Sequence, residues 1–190
     1  MASPILTPFT GDTAADELLT TDGFALLVGM LLDQQVPMEW AFRGPLEAER
    51  RLGTLDPAAI AAMDPDQVVE AFVAKPALHR YPASMARRVH DLAAFLVEHS
   101  GGQAERVWTG VRDPAELFAR LQALPGYGKQ KAQIFLAILG KRLHVAPPGW
   151  EELAGNYGQP GHRSIADVDG PGAVDKVRAY KQAMKKAARS

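Results

Sequence analysis

The stretch richest in possible chemistry is Leu124-Pro-Gly-Tyr-Gly-Lys-Gln-Lys-Ala132, followed by the apolar run Ile134 to Leu139. Two glycines two apart, just before a helix-forming run, predict a tight turn that needs positive φ or close backbone approach. Pro125 fixes the entry, and a helix over 114–122 runs into it from the other side. The segment therefore reads as helix, short hairpin, helix, with the backbone N–H groups of Gly126, Gly128 and Lys129 unpaired at a helix N-terminus. Such a nest binds an anion without any side chain, and the helix dipole adds to it. With Lys129 and Lys131 beside it, the expected anion is a nucleic-acid phosphate. Gly-x-Gly alone fits an ordinary αα-hairpin as well; the full string Leu-Pro-Gly-x-Gly-x-x-x-Ala is more specific.

The elements around it are all predicted to be helical. Thr13 to Thr20 reads as a short helix with acids in its first turn, and Asp22 caps an apolar helix from Phe24 to Leu32. That helix is apolar all round and should be the central buried one. It ends in Asp33-Gln34-Gln35-Val36-Pro37, and Pro37 opens a helix expected to run through Phe42. Three Asp-Pro pairs, at 56–57, 64–65 and 113–114, each supply a cap acceptor and a proline at the first helical position. They set helices near 57–62, 65–73 and 114–122. A loop, Lys75 to Pro82, leads into a long amphipathic helix from Ala83 to about His99. A short helix follows Trp150 to about Asn156, a glycine-rich loop covers 158–163, and a basic helix runs from Ala173 to Ala188. No stretch alternates convincingly enough to be a strand and no repeat appears, so the fold class is all-α.

Composition narrows the function classes. At 190 residues the chain can bury a good core as one domain or two small lobes. It has no cysteine, which excludes disulfides and thiolate metal sites. No apolar run reaches membrane-spanning length and the N-terminus lacks a signal pattern, so a cytoplasmic location is expected. The net charge of −1 hides an asymmetry: residues 117–190 carry twelve Lys/Arg against five Asp/Glu, net +7, on an otherwise acidic chain. That suits a polyanion on one face.

The hairpin string resembles the helix-hairpin-helix of the HhH-GPD superfamily of base-excision DNA glycosylases, the endonuclease III and alkyladenine glycosylase relatives. Residues 22 to 145 carry the resemblance. It implies a two-lobed helical fold: a barrel lobe over 22–145 with the hairpin at about 114–141, and a second lobe from 1–21 with 146–190. It implies a monomer acting on double-stranded DNA with a damaged or modified base, the hairpin gripping the backbone through main-chain amides, often with a monovalent cation held by hairpin carbonyls. Gln34 and Gln35 match the junction where members fill the gap left by a flipped base. His79, Arg80 and Tyr81, with Trp40, are placed where that base could stack or be hydrogen-bonded. The iron–sulfur cluster of many endonuclease III relatives is ruled out by the missing cysteines.

The catalytic positions depart from the pattern. Bifunctional members carry a Schiff-base lysine two residues after the second hairpin glycine, where this chain has Gln130, so lyase chemistry is not expected. The aspartate usual some way further on falls on Pro148. Asp167 is the preferred substitute because Ile165-Ala-Asp-Val with a following helix best matches the local pattern; Glu152 and Asp33 are the alternatives. The expected activity is that of a monofunctional DNA glycosylase, with a non-catalytic damage-binding protein of the same descent as the alternative.

Overall fold

The helix starts are written by short capping residues, and the computed structural model, which describes residues 6–190, places them where those residues stand. Asp12 caps α1 (Thr13–Thr21) by accepting from Ala14 and Ala15 N–H, and Asp22 caps α2 (Gly23–Leu32) by accepting from Ala25 N–H. Asp56, Asp64 and Asp113 do the same for α4 (Pro57–Ala62), α5 (Pro65–Val73) and α7 (Pro114–Ala123), each with its proline at the first helical position. That proline lacks only an N–H the helix could not have used. The long helix α6 spans Pro82–Ser100, and α8 (Lys129–Lys141), α9 (Trp150–Ala154) and α10 (Ala173–Ala188) follow the hairpin. Short 3₁₀ turns cover Ala104–Val107, Gly155–Gly158 and Ile165–Asp167. There is no strand among the described residues, and no helix among them is long and apolar enough to cross a membrane. The fold is all-α.

One helix runs further than its sequence suggests. α3 extends over Met38–Leu52 rather than stopping near Phe42, with Pro45 inside it. Gly44-Pro45 looks like a breaker because a mid-helix proline forfeits one hydrogen bond and crowds the preceding turn. Burial outweighs that local cost: Phe42, Gly44, Pro45 and Ala48 all face the core, and Gly44 leaves room for Leu32.

The core is a single cluster centred on α2, in which every residue from Phe24 to Leu32 is buried. α3, α6 and α8 pack around it, with Phe42, Met85, Leu92, Leu96 and Phe135 fully inside. α2 and α3 approach so closely that a Cβ on Gly29 would lie 2.5 Å from the Phe42 ring. Tyr127, in the hairpin turn, donates from its hydroxyl to Leu27 O at 2.6 Å and ties the hairpin to α2. The segment before α1 meets the turn before α10 where Thr7 N–H donates to Val168 O at 3.2 Å.

Candidate functional site

The last turn of α2 leaves carbonyl groups without intrahelical partners, as every helix end does. Here Asp33 N–H donates to Met30 O and Gln34 N–H to Leu32 O, and two side chains from distant parts of the chain complete the set. Lys131, in the first turn of α8, places its Nζ 2.6 Å from Met30 O, 2.9 Å from Leu31 O and 3.5 Å from Asp33 O. His79 holds Leu32 O at 3.0 Å through Nε2, while its Nδ1 accepts from Tyr81 N–H. An accepting Nδ1 fixes the neutral ring with its proton on Nε2. Burial lowers the His79 pKa first; the Leu32 and Gln34 backbone groups oppose that, and the nearby Lys131 charge adds to it. Burial likewise lowers Lys131 from its ordinary value to about 8, against the pull of Asp33.

These contacts set aside two expected roles. Lys131 points inward to α2, so its ammonium does not stand free beside the hairpin for a phosphate. His79 is 1% exposed and cannot stack on a base. Of the other expected base-pocket residues, Trp40 lies beside His79, ring centres 6.4 Å apart, and borders a hollow of about 270 Å³ with Arg43, Glu47 and Arg51. Arg80 and Tyr81 are exposed, with the Arg80 guanidinium 5.6 Å from the Tyr81 ring centre.

Beyond this helix end opens a cleft of about 980 Å³, walled by the 33–38 junction, the start of α8, the 156–163 segment and α10. Six cations line it, Arg80, Lys131, Arg163, Arg178, Lys181 and Lys185, and one carboxylate, Asp33. The Asp33 side chain is only 7% exposed, with Oδ2 3.6 Å from Lys181 Nζ. A carboxylate at the negative end of a helix dipole is disfavoured; Lys131 and Lys181 offset that. Gln130 lines the cleft too, its Nε2 donating to the Tyr157 hydroxyl at 2.7 Å.

Gln34 and Gln35 stand at the cleft's mouth. Gln34 accepts from Arg88 Nη1 at 3.4 Å and Gln35 from the Tyr81 hydroxyl at 3.1 Å. Gln35 is exposed and has φ +57°, a left-handed conformation that a non-glycine residue holds only against steric cost.

The hairpin lies alongside. Gly126 has φ +81°, and a Cβ there would collide with the Leu31 side chain, so both conformation and space demand glycine. Tyr127 N–H closes the turn on Leu124 O at 3.0 Å. The amides of Gly126, Gly128 and Lys129 donate to no acceptor among the described residues, and α8 has no side-chain cap. Leu121 O accepts from Leu124 N–H and Leu124 O from Tyr127 N–H.

Asp167 occupies a different setting. Its Oδ2 accepts from Arg163 N–H at 2.8 Å and Ser164 N–H at 3.1 Å, and Oδ1 meets Lys141 Nζ at 2.7 Å. It forms a reciprocal cap with Ser164, is 8% exposed, and does not line the cleft. Glu152 is exposed on α9, also outside the cleft. Of the three candidate carboxylates the fold brings only Asp33 into the basic cleft, a grouping invisible in sequence because its partners come from α8 and α10. No group of three or more His, Asp or Glu among the described residues is arranged to hold a metal. No protein-family model matches the chain, no curated protein matches it, and no solved structure matches it significantly.

Proposed function

We propose that the protein is a monofunctional DNA glycosylase of the HhH-GPD type, hydrolysing the N-glycosidic bond of a damaged or modified base flipped out of duplex DNA. The observation that carries this reading is Asp33: one low-exposure carboxylate on the floor of a cleft lined by six cations. A cleft built only to hold a polyanion has no use for a carboxylate, which repels phosphate. A carboxylate there does have a use when positive charge develops on the sugar as the base leaves.

On this reading the α7–hairpin–α8 unit is the helix-hairpin-helix, and its unpaired amides take backbone phosphates. The barrel lobe and the terminal segments of that two-lobed fold flank the cleft. Asp33 stabilises the oxocarbenium-like sugar and orients water, which adds to the anomeric carbon; the base departs with the water's proton. Gln130 stands where a lysine nucleophile would, and Lys131 is engaged by three carbonyls, which favours water over a Schiff base.

The test is incubation with a panel of lesion-bearing duplexes, scored for abasic sites. Release of a free base supports the reading. Tight, salt-dependent binding of damaged duplex with no base released from any lesion overturns it in favour of a damage-binding protein.

A further inference from the structure

The chain has four tyrosines, and their hydroxyl protons are not equivalently placed. Tyr127 donates to Leu27 O and Tyr81 to Gln35 Oε1, so both are committed. The two that line the cleft are different. Tyr157 accepts from Gln130 Nε2 at 2.7 Å, and Tyr180 accepts from Asn156 Nδ2 at 2.5 Å and Arg163 Nη1 at 3.2 Å. With their oxygens used as acceptors, each phenol keeps one O–H donor that has no acceptor among the described residues. Both hydroxyls are therefore available to a ligand's oxygen.

Of the cleft's acceptors, Gln34 Oε1 and Gln35 Oε1 are taken, while Gln130 Oε1 and the Asp33 carboxylate, 3.6 Å from Lys181 Nζ, accept no hydrogen bond among the described residues. Two phenol donors and six cations stand against them, so donors and positive charge outweigh acceptors. Hydrogen-bond complementarity then selects a ligand rich in carbonyl oxygen, and Coulomb repulsion from six lining cations disfavours a ligand with its own fixed positive charge.

We infer that the base taken into this cleft is a neutral or acidic lactam carrying exocyclic carbonyl oxygens, of the deaminated or oxidised kind, and not a cationic N-alkylated purine. The inference rests on the glycosylase reading above and names its substrate class. Tyr157 and Tyr180 are its specificity-determining residues, each donating to a base carbonyl.

The test uses duplexes with one central base on a fluorinated sugar that blocks cleavage: uracil, hypoxanthine, an N-methylated guanine with fixed positive charge, or an undamaged base. The lactam duplexes are expected to bind about tenfold tighter than the methylated one, the worth of one or two well-made hydrogen bonds. Tyr157→Phe and Tyr180→Phe, which keep the ring, should each erase much of that preference, read as the ratio of lactam to methylated-guanine affinity within each variant. Equal or tighter binding of the methylated guanine, or discrimination kept in both Phe variants, overturns the inference. Base release from unblocked duplexes separates the two claims. Release of methylated guanine alone keeps the glycosylase and overturns the lactam class. Lactam-selective binding with no release overturns hydrolysis and leaves the lactam class standing.

Discussion

The Lys131 ammonium lies 2.6 Å from Met30 O and 2.9 Å from Leu31 O, so a side chain of α8 closes the C-terminal end of α2. Lys131→Met should strand the Leu31 carbonyl and leave Met30 O with only the Asp33 N–H, at a cost of about 1–3 kcal/mol read by urea unfolding. The lysine is expected to titrate near pH 8, followed through its side-chain NMR signals. Its pKa is lowered in the folded state, from 10.5 to about 8, chiefly by burial. In that window the unfolded chain holds the proton and the folded one does not, so stability should rise with pH from about 8 to 10.5. A flat stability profile, or titration near 10.5, would show that the amine is not desolvated.

Asp33→Asn keeps the shape of the cleft floor and removes its carboxylate. Base release should fall by about 10²-fold or more while duplex binding is kept or strengthened, since Lys181 loses its partner. Single-turnover rates alongside equilibrium binding make the comparison. Full activity in the variant would return the role to another carboxylate.

Asp167→Asn should behave in the reverse way. It breaks the Lys141 pair and weakens a buried cap, so a loss of about 1–3 kcal/mol in stability is expected. The rate per folded molecule should be unchanged. A rate collapse in stably folded Asp167→Asn protein would reinstate it as the reacting carboxylate.

Gly128 permits a clean test of the hairpin. Its φ is −78° and an added Cβ would meet nothing within 4 Å, so Gly128→Asp should fold normally. Placed at the start of α8, the new charge should weaken binding to any duplex by about 1–3 kcal/mol per lost charge-assisted contact. Log affinity of the unmodified protein should fall with log salt at about 0.9 per phosphate contacted. Affinity unchanged by the substitution would remove the hairpin from the DNA contact.

Gln35, the more exposed of the glutamine pair, is the expected gap-filling residue. Gln35→Ala should weaken binding to an abasic or mismatched duplex more than to an intact one, because only the former opens readily. Gln34→Ala, whose side chain is held by Arg88, should have the smaller effect. Equal losses on damaged and intact duplexes would leave the pair with a merely structural place.

What the sequence made legible is what is decided locally. Asp56, Asp64 and Asp113 act within three residues of themselves, so three helix starts can be read directly from Asp-Pro. Pro45 misleads because its cost is local while the burial that outweighs it comes from α2. His79 on a polar loop looks accessible, and only the carbonyl of Leu32, far off in the chain, explains its burial. Asp167 looks like a reacting residue by local pattern, yet Ser164 and Lys141 make it a cap. Asp33 is a candidate in sequence only through its place at the junction after α2; its basic setting exists only once α8 and α10 have arrived.

α10 buries only Ala173 and Val177, near its start, and beyond them it is joined to the body by Arg178–Glu39, Lys181–Asp33 and the Tyr180–Asn156 bond. The two ion pairs among these ties loosen with ionic strength, whereas apolar packing does not. The helix is thus a cantilever: fixed at its root, free toward its tip, with the far side of the cleft resting on it. Its amides should lose exchange protection progressively from root to tip, and the cleft can widen or narrow for different occupants without disturbing the packing around α2.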